Sequence, residues 1–391
     1  MENETRLKNL SSKILKLLDL LENYEYEYLR YINSINIPVY SDLVIFKEDA
    51  LSILGIDDYR YLLENGIIRE NIFNPRIVEI VNINKLIDMI SLYKEMKKYS
   101  LSKEILQSDR PFYELLPLVS PNVKNTDVIE VVKKVMLLQL FSGDDRGFRT
   151  RIHIALIGDP GTGKTLLLQW QSDISGGLYL SLRTTSAGLS GSLDPAQFYN
   201  NPPPLMAANG KILCIDEADK ISTSDLDPLL TAMEEGKVVL AGAGLHYEYE
   251  AKVRVMLSSN KKRFRPELID RFDLVALFRK PSKKETADII GHIIEFASEE
   301  NQRILEESKT TINNYMKYVE KFYPKIIDNN AVKEAIADII EKTGESSVRN
   351  TLRWLRFAYA YAKINRVNIT PEIVKEVYDM LKIQRINLTQ E

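Results

Sequence analysis

Gly158, Asp159, Pro160, Gly161, Thr162, Gly163, Lys164 and Thr165 run in the order G-x-x-x-x-G-K-[ST], and Leu166 opens a helical stretch that reaches Trp170. Glycines let successive backbone N–H groups turn inward on one point, and a following helix N-terminus adds partial positive charge there. Such a point holds phosphate oxygens. Lys164 adds a full charge suited to β- and γ-phosphates, and Thr165 a hydroxyl that can ligate Mg2+. The expected bound species are ATP and Mg2+, with Gly158 to Leu166 as the cradle.

A second group of residues completes that chemistry. Lys211-Ile-Leu-Cys-Ile-Asp-Glu217 is an apolar run ending in two acids, as when a buried strand delivers carboxylates at its C-terminal edge. Asp216 is expected to hold Mg2+, and Glu217 to orient and deprotonate the attacking water. Cys214, inside this run, reads as a small core residue. Leu257-Ser-Ser-Asn260 reads as a further strand end, which would bring the Asn260 amide near the γ-phosphate.

These residues need an α/β scaffold. Apolar runs at Ile152–Ile157, Leu178–Leu182, Ile212–Ile215, Val238–Leu240, Val253–Leu257 and Leu274–Leu277 alternate with helical stretches, the texture of a largely parallel sheet. After Pro281 the pattern changes to amphipathic helices over Lys284–Glu299, Thr311–Phe322, Ala331–Lys342, Val348–Ile364 and Pro371–Leu381, a helical lid. Residues 1–105 are mostly helical. Two short helices, Asp49–Gly55 and Tyr59–Gly66, precede extended segments at Ile67–Ile68 and Arg76–Val81, which fits either a winged helix or a small helical bundle. The expected domains are 1–105, an α/β core over 106–280, and the lid over 281–391.

Composition narrows the setting. Of 391 residues, 45% are hydrophobic and 27% charged, and no apolar run approaches membrane-spanning length. The first residues show no secretory leader pattern, so a cytoplasmic protein with no membrane partner is expected. One cysteine and three histidines leave neither a disulfide nor a Cys/His zinc cluster, so any metal takes oxygen ligands. A net charge of −3 excludes a uniformly basic DNA-coating chain but not a basic internal lining.

From about Tyr113 onward the chain resembles the AAA+ part of the minichromosome maintenance (MCM) replicative helicases. The similarity runs through Val135–Gly143, the phosphate loop, Ser186–Leu189, Cys214–Lys220, Ala232-Met-Glu234, Ala241 with Ala243-Gly244, Asp270-Arg-Phe-Asp-Leu274, Tyr323–Ile326, and Arg349 through Lys363. The resemblance implies that Arg271 is an arginine finger and Arg349 a lid (sensor 2) arginine, each directed at a neighbour's nucleotide. It therefore implies a homo-oligomeric ring, typically a hexamer, acting on DNA as a helicase or replication-initiation motor.

The chain also departs from the family. Residues 1–105 show no counterpart of the family's amino-terminal barrel, and the segment between Leu189 and Met206 is shortened. Along the hairpin from Val238 to Val255, family lysines fall on Gly242 and Glu248. DNA binding there would rest on His246, Lys252 and Arg254, with Tyr247 and Tyr249 stacking at the tip. The alternative is an AAA+ remodeller of the MoxR or chelatase type, acting on a protein substrate.

Overall fold

The computed structural model describes residues 10, 13, 14, 16, 17, 44–82, 95, 96, 98–145, 147–181, 185–191, 202–242, 245–261, 264–344 and 348–381, with the side chains of 242, 245 and 348–350 outside the description. The chain divides into two compact units, Met1–Ser108 and Asp109–Glu391. The second holds both the sheet and the helices that follow Pro281.

In the first unit, strand β1 (Val44–Phe46) leads into helices α1 (Lys47–Leu54) and α2 (Ile56–Glu64), then strands β2 (Ile68–Glu70) and β3 (Ile77–Ile80). The strands form an antiparallel sheet in the order β1-β3-β2. Leu10, Ile14 and Leu17, in helical conformation, pack into the same core as Leu54, Leu62 and Val78. Helix, strand, two helices and two strands in this sheet order is winged-helix connectivity, which favours that reading over the bundle. The element not anticipated is β1. Three residues are too few to show a period, and Val44 pairs with Glu79 across a separation only the fold reveals.

In the second unit, Thr126 caps helix α3 (Asp127–Leu140) by accepting the Ile129 N–H at 3.3 Å. A two-residue hairpin, β4 (Asp144–Asp145) with β5 (Phe148–Arg149), precedes β6 (Ile154–Gly158), helix α4 (Lys164–Ser175), β7 (Leu178–Leu180) and β8 (Ile212–Ile215). Helix α5 (Asp227–Glu235), hairpin strands β9 (Lys237–Gly242) and β10 (Leu245–Glu250), then β11 (Arg254–Ser259), the short helix α6 (Pro266–Ile269) and β12 (Leu274–Phe278) follow. Five strands make one parallel sheet in the order β12-β6-β11-β8-β7. The fully apolar interiors of β6 and β8 fit a sheet covered on both faces. Val238–Leu240, one of the expected strands, belongs to the separate β9-β10 hairpin.

The lid begins with α7 (Lys283–Phe296), opened by a reciprocal Ser282–Glu285 capping box. It continues through α8 (Glu299–Tyr318), α9 (Asn329–Thr343), α10 (Val348–Asn365) and α11 (Pro371–Leu381). Helix α10 is held by buried Trp354, Phe357 and Tyr361, and its Arg356 pairs with Asp273 of the core at 2.7 Å.

His153 and Arg254 tie the core together. Arg254, expected at a DNA-facing hairpin, is 8% exposed, and its guanidinium donates to the carbonyls of Gln139, Leu140, Ser142 and Gly210. It closes the C-terminal end of α3, where unpaired carbonyls and the helix dipole favour a cation, and so cannot meet DNA. His153 Nδ1 accepts the Val255 N–H at 3.1 Å. Burial, then the charges of Arg151 and Arg356, push His153 well below the 6.5 of an ordinary histidine. A folded-state value below the unfolded one means the unfolded chain binds the extra proton, so this contribution is present above about pH 6.5 and lost as pH falls. From about pH 7.5 down to about pH 5.5, denaturant unfolding should show the wild type losing more stability than His153→Gln.

Candidate functional site

Gly158 ends β6 with φ 143°, and a Cβ there would lie 1.9 Å from the Phe278 carbonyl oxygen. Only glycine allows β12 to pass this close. Gly161 and Gly163 also take positive φ, 74° and 87°, which turns the loop into the N-terminus of α4. Lys164 is 5% exposed, with its amine 2.8 Å from the Gly158 carbonyl and 2.5 Å from that of Asp159. Burial lowers its pKa, while Asp159, Asp216 and Asp219 pull it back up. Asp159 itself accepts the Lys280 N–H at 2.8 Å, joining the loop to the start of the lid.

The two motifs meet at Asp216. Its carboxylate accepts from Thr165 Oγ1 at 2.9 Å, Tyr179 Oη at 2.7 Å, the Glu217 N–H at 3.0 Å, and closely from Ser258 Oγ. Burial works to raise its pKa, but the hydrogen bonds from Ser258, Tyr179, Thr165 and Glu217 outweigh that and hold it below an ordinary aspartate. Glu217 follows in left-handed conformation, φ 53° and ψ 42°, uncommon for a non-glycine residue and a form of strain that clusters at functional sites. Lys220 Nζ lies 2.5 Å from its carboxylate. Cys214 is fully buried and burial raises its thiol pKa, the state of an inert core residue.

Asn260 follows β11, and β11 lies between β6 and β8, with Met256 paired to Ile154 on one side and Cys214 on the other. One cavity of about 380 Å³ is lined by Pro160 to Leu166 together with Asp216, Glu217, Ser258 and Asn260. Its opposite wall is Val123 and Ile129 from the core with Ile289, His292 and Ile293 from lid helix α7; His292 Nε2 bonds the Pro121 carbonyl oxygen at 2.9 Å. Apolar walls with a glycine-rich cationic floor and an ionised carboxylate beside a hydroxyl fit a nucleoside triphosphate with Mg2+.

Arg271 is elsewhere. It lines a second cavity, of about 320 Å³, which shares no residue with the first and also takes in Arg149, Arg151, Arg353 and Arg356. Arg349 stands in the first turn of α10, one and two turns before those last two arginines, with its side chain outside the described residues. Tyr179 and Ser258 were missed by the sequence reading. Ser258 stands in the Leu-Ser-Ser-Asn run and Tyr179 in an expected strand, but neither carries a signal that it points at Asp216.

The β9-β10 hairpin corrects a further expectation. Tyr249 is 7% exposed and its hydroxyl donates to the Ser190 carbonyl at 2.7 Å, so it is a core residue and not a stacking platform. It pairs with Val238 near the base of the hairpin. The outward face carries Lys237, Val239, His246, Glu248 and Glu250, with Glu248 salt-bridged to Lys237 and Glu250 to Lys252.

Among the described residues no helix is long and apolar enough to cross a membrane. The sequence pattern of the MCM P-loop domain matches residues 99–297, just over half of the chain. The minichromosome maintenance protein MCM of Saccharolobus solfataricus is 25% identical over 331 residues, covering 75% of this chain and 47% of that protein. The DNA replication licensing factor MCM4 of Arabidopsis thaliana is 33% identical over 243 residues, 54% of this chain and 28% of that protein. A probable DNA helicase, MCM9 of Arabidopsis thaliana, is 27% identical over 270 residues, 60% and 42% respectively. The chain thus spans less than half the length of these relatives. With a P-loop built on a five-stranded parallel sheet, and with that match over residues 99–297, the chain belongs to the MCM family of AAA+ proteins.

Proposed function

We propose that this chain hydrolyses ATP with Mg2+ in a ring of identical subunits, typically six, and applies the work to DNA as a helicase or replication-initiation motor. The observation that carries the reading is the Thr165 hydroxyl 2.9 Å from an ionised Asp216 at the mouth of the phosphate loop. Backbone N–H groups of the loop and the α4 N-terminus take the phosphate oxygens, and Lys164 leaves its carbonyl contacts to neutralise β- and γ-phosphate charge. Thr165 and Asp216 would hold Mg2+, which when bound supplies charge neutralisation at the phosphoryl oxygens. Glu217 orients the attacking water and takes its proton, and Asn260 steadies the γ-phosphate side. Among the described residues no arginine lines this cavity, and Arg271 lines a different one, which supports the reading that a neighbour supplies Arg271 and, with it, Arg349.

One observation favours the protein-remodelling reading. With Tyr249 and Arg254 buried, the outward hairpin face offers two carboxylates and one lysine besides His246, which gives little to neutralise phosphates. ATP turnover with and without single- and double-stranded DNA, across a salt series, separates the two. A DNA motor shows stimulation that falls steeply with salt, and loses part of it in His246→Ala, on the outward face of the hairpin, while basal turnover stays. Absence of DNA binding at every salt concentration removes DNA and leaves a protein substrate.

A further inference from the structure

Arg271 projects from the turn after α6, and most of its side chain is covered, with 16% exposed. Nη1 donates to the Glu267 carbonyl at 2.7 Å, one turn back, and Nη2 is in close ion pair with the Glu234 carboxylate. Glu234 stands in the last turn of α5. Carbonyls of that turn also accept from arginines: Ala232 from Arg151 at 2.7 Å, and Glu234 from Arg149 in a close contact. A helix C-terminus carries partial negative charge, so this one end gathers three guanidinium groups.

Charge in the cavity makes that gathering necessary. Five arginines line it against the carboxylates of Glu234, Asp270 and Asp273. Asp273 is committed to Arg356 at 2.7 Å and to the His153 N–H at 2.8 Å. Without a carboxylate at position 234, Arg271 faces an excess of like charge on a side chain with several rotatable bonds. An arginine has five N–H donors; the bonds to Glu267 and Glu234 take one on each terminal nitrogen and the Nε–H is buried, which leaves one N–H on each terminal nitrogen.

We propose that Glu234 is the positioning residue of Arg271: its carboxylate anchors one terminal nitrogen of the guanidinium so that the second N–H of each terminal nitrogen is presented, as a fixed fork, to the γ-phosphate of a nucleotide bound by a second copy of this chain. The inference rests on the reading of Arg271 as a finger acting between subunits. An exposed carboxylate contributes little to stability, so its removal changes the direction of Arg271 and not the fold. Glu234 lies outside the nucleotide cavity of its own subunit, so it acts on the catalytic step and not on nucleotide affinity.

Glu234→Gln and Glu234→Asp are compared with Arg271→Ala and Lys164→Ala, using the full chain. Glu234→Gln is expected to lower kcat for ATP by about tenfold or more, the scale of a misplaced catalytic group, with KM and thermal midpoint unchanged. Glu234→Asp recovers part of the rate. Mixed with Lys164→Ala, Glu234→Gln protein should raise turnover above either alone, as Arg271→Ala does, a behaviour a merely structural defect does not give. Wild-type kcat in Glu234→Gln where Arg271→Ala has lost it overturns the role of Glu234 and leaves the finger standing. Wild-type kcat in Arg271→Ala overturns the finger and this inference with it, and a loss in Glu234→Gln that mixing does not rescue overturns the inference alone.

Discussion

Glu217→Gln is expected to reduce ATP turnover by about 10²–10⁴-fold while leaving ATP bound, because the change removes the carboxylate proposed to activate water and, besides that, only an exposed ion pair to Lys220. The amide keeps the size of the side chain. The clamp on Asp216 uses the Glu217 backbone N–H, which the substitution retains. Lys164→Ala should behave differently. Its amine is the cation set beside the loop carbonyls, at 2.8 Å from that of Gly158, and its loss removes charge that ATP meets in the ground state. Binding should weaken along with turnover. Equilibrium binding of a fluorescent ATP analogue, beside steady-state phosphate release, distinguishes the two variants. Normal turnover in purified Glu217→Gln protein sinks the assignment.

Arg271→Ala should abolish most turnover in the homogeneous protein, since supplying or removing a finger of this type is worth about 10³–10⁵ in rate. Its own nucleotide cavity is untouched, because Arg271 lines a different one. Nucleotide affinity should therefore survive. Mixing Arg271→Ala with Lys164→Ala subunits then creates interfaces that pair an intact phosphate loop with an intact finger, and turnover of the mixture should exceed that of either parent. The assay is turnover against mixing ratio. Mixed assemblies without rescue would count against action between subunits.

Parts of this site were legible because their chemistry is contiguous. Gly158 to Thr165 must be adjacent for successive N–H groups to face one phosphate, and Asp216-Glu217 must end a strand to reach the same edge. Strand order is carried by neither pattern. That β11 separates β6 from β8 follows from crossover connections, and it brings Ser258 onto Asp216. Tyr179 reaches the same carboxylate because β7 pairs with β8, so that Tyr179 stands opposite Cys214. Three-residue strands such as β1 are set by their partners and not by their own residues.

The hairpin shows the same division. Alternation along β10 sends His246, Glu248 and Glu250 outward and Tyr249 into the core, because successive side chains of a strand point to opposite faces. The period was readable in the residues; which phase faced the core was not, since both phases contain residues able to face water. Arg254, at the start of the next strand, has the sequence position of a hairpin cation, yet its guanidinium is spent on the carbonyls at the end of α3. By itself the sequence determined the phosphate loop and the α/β scaffold, because local spacing and hydrophobic period specify phosphate loops and buried strands. Only the tertiary structure decided which carboxylate clamps which hydroxyl, which arginine is buried and which is held at a cavity wall, because those contacts join residues far apart in the chain.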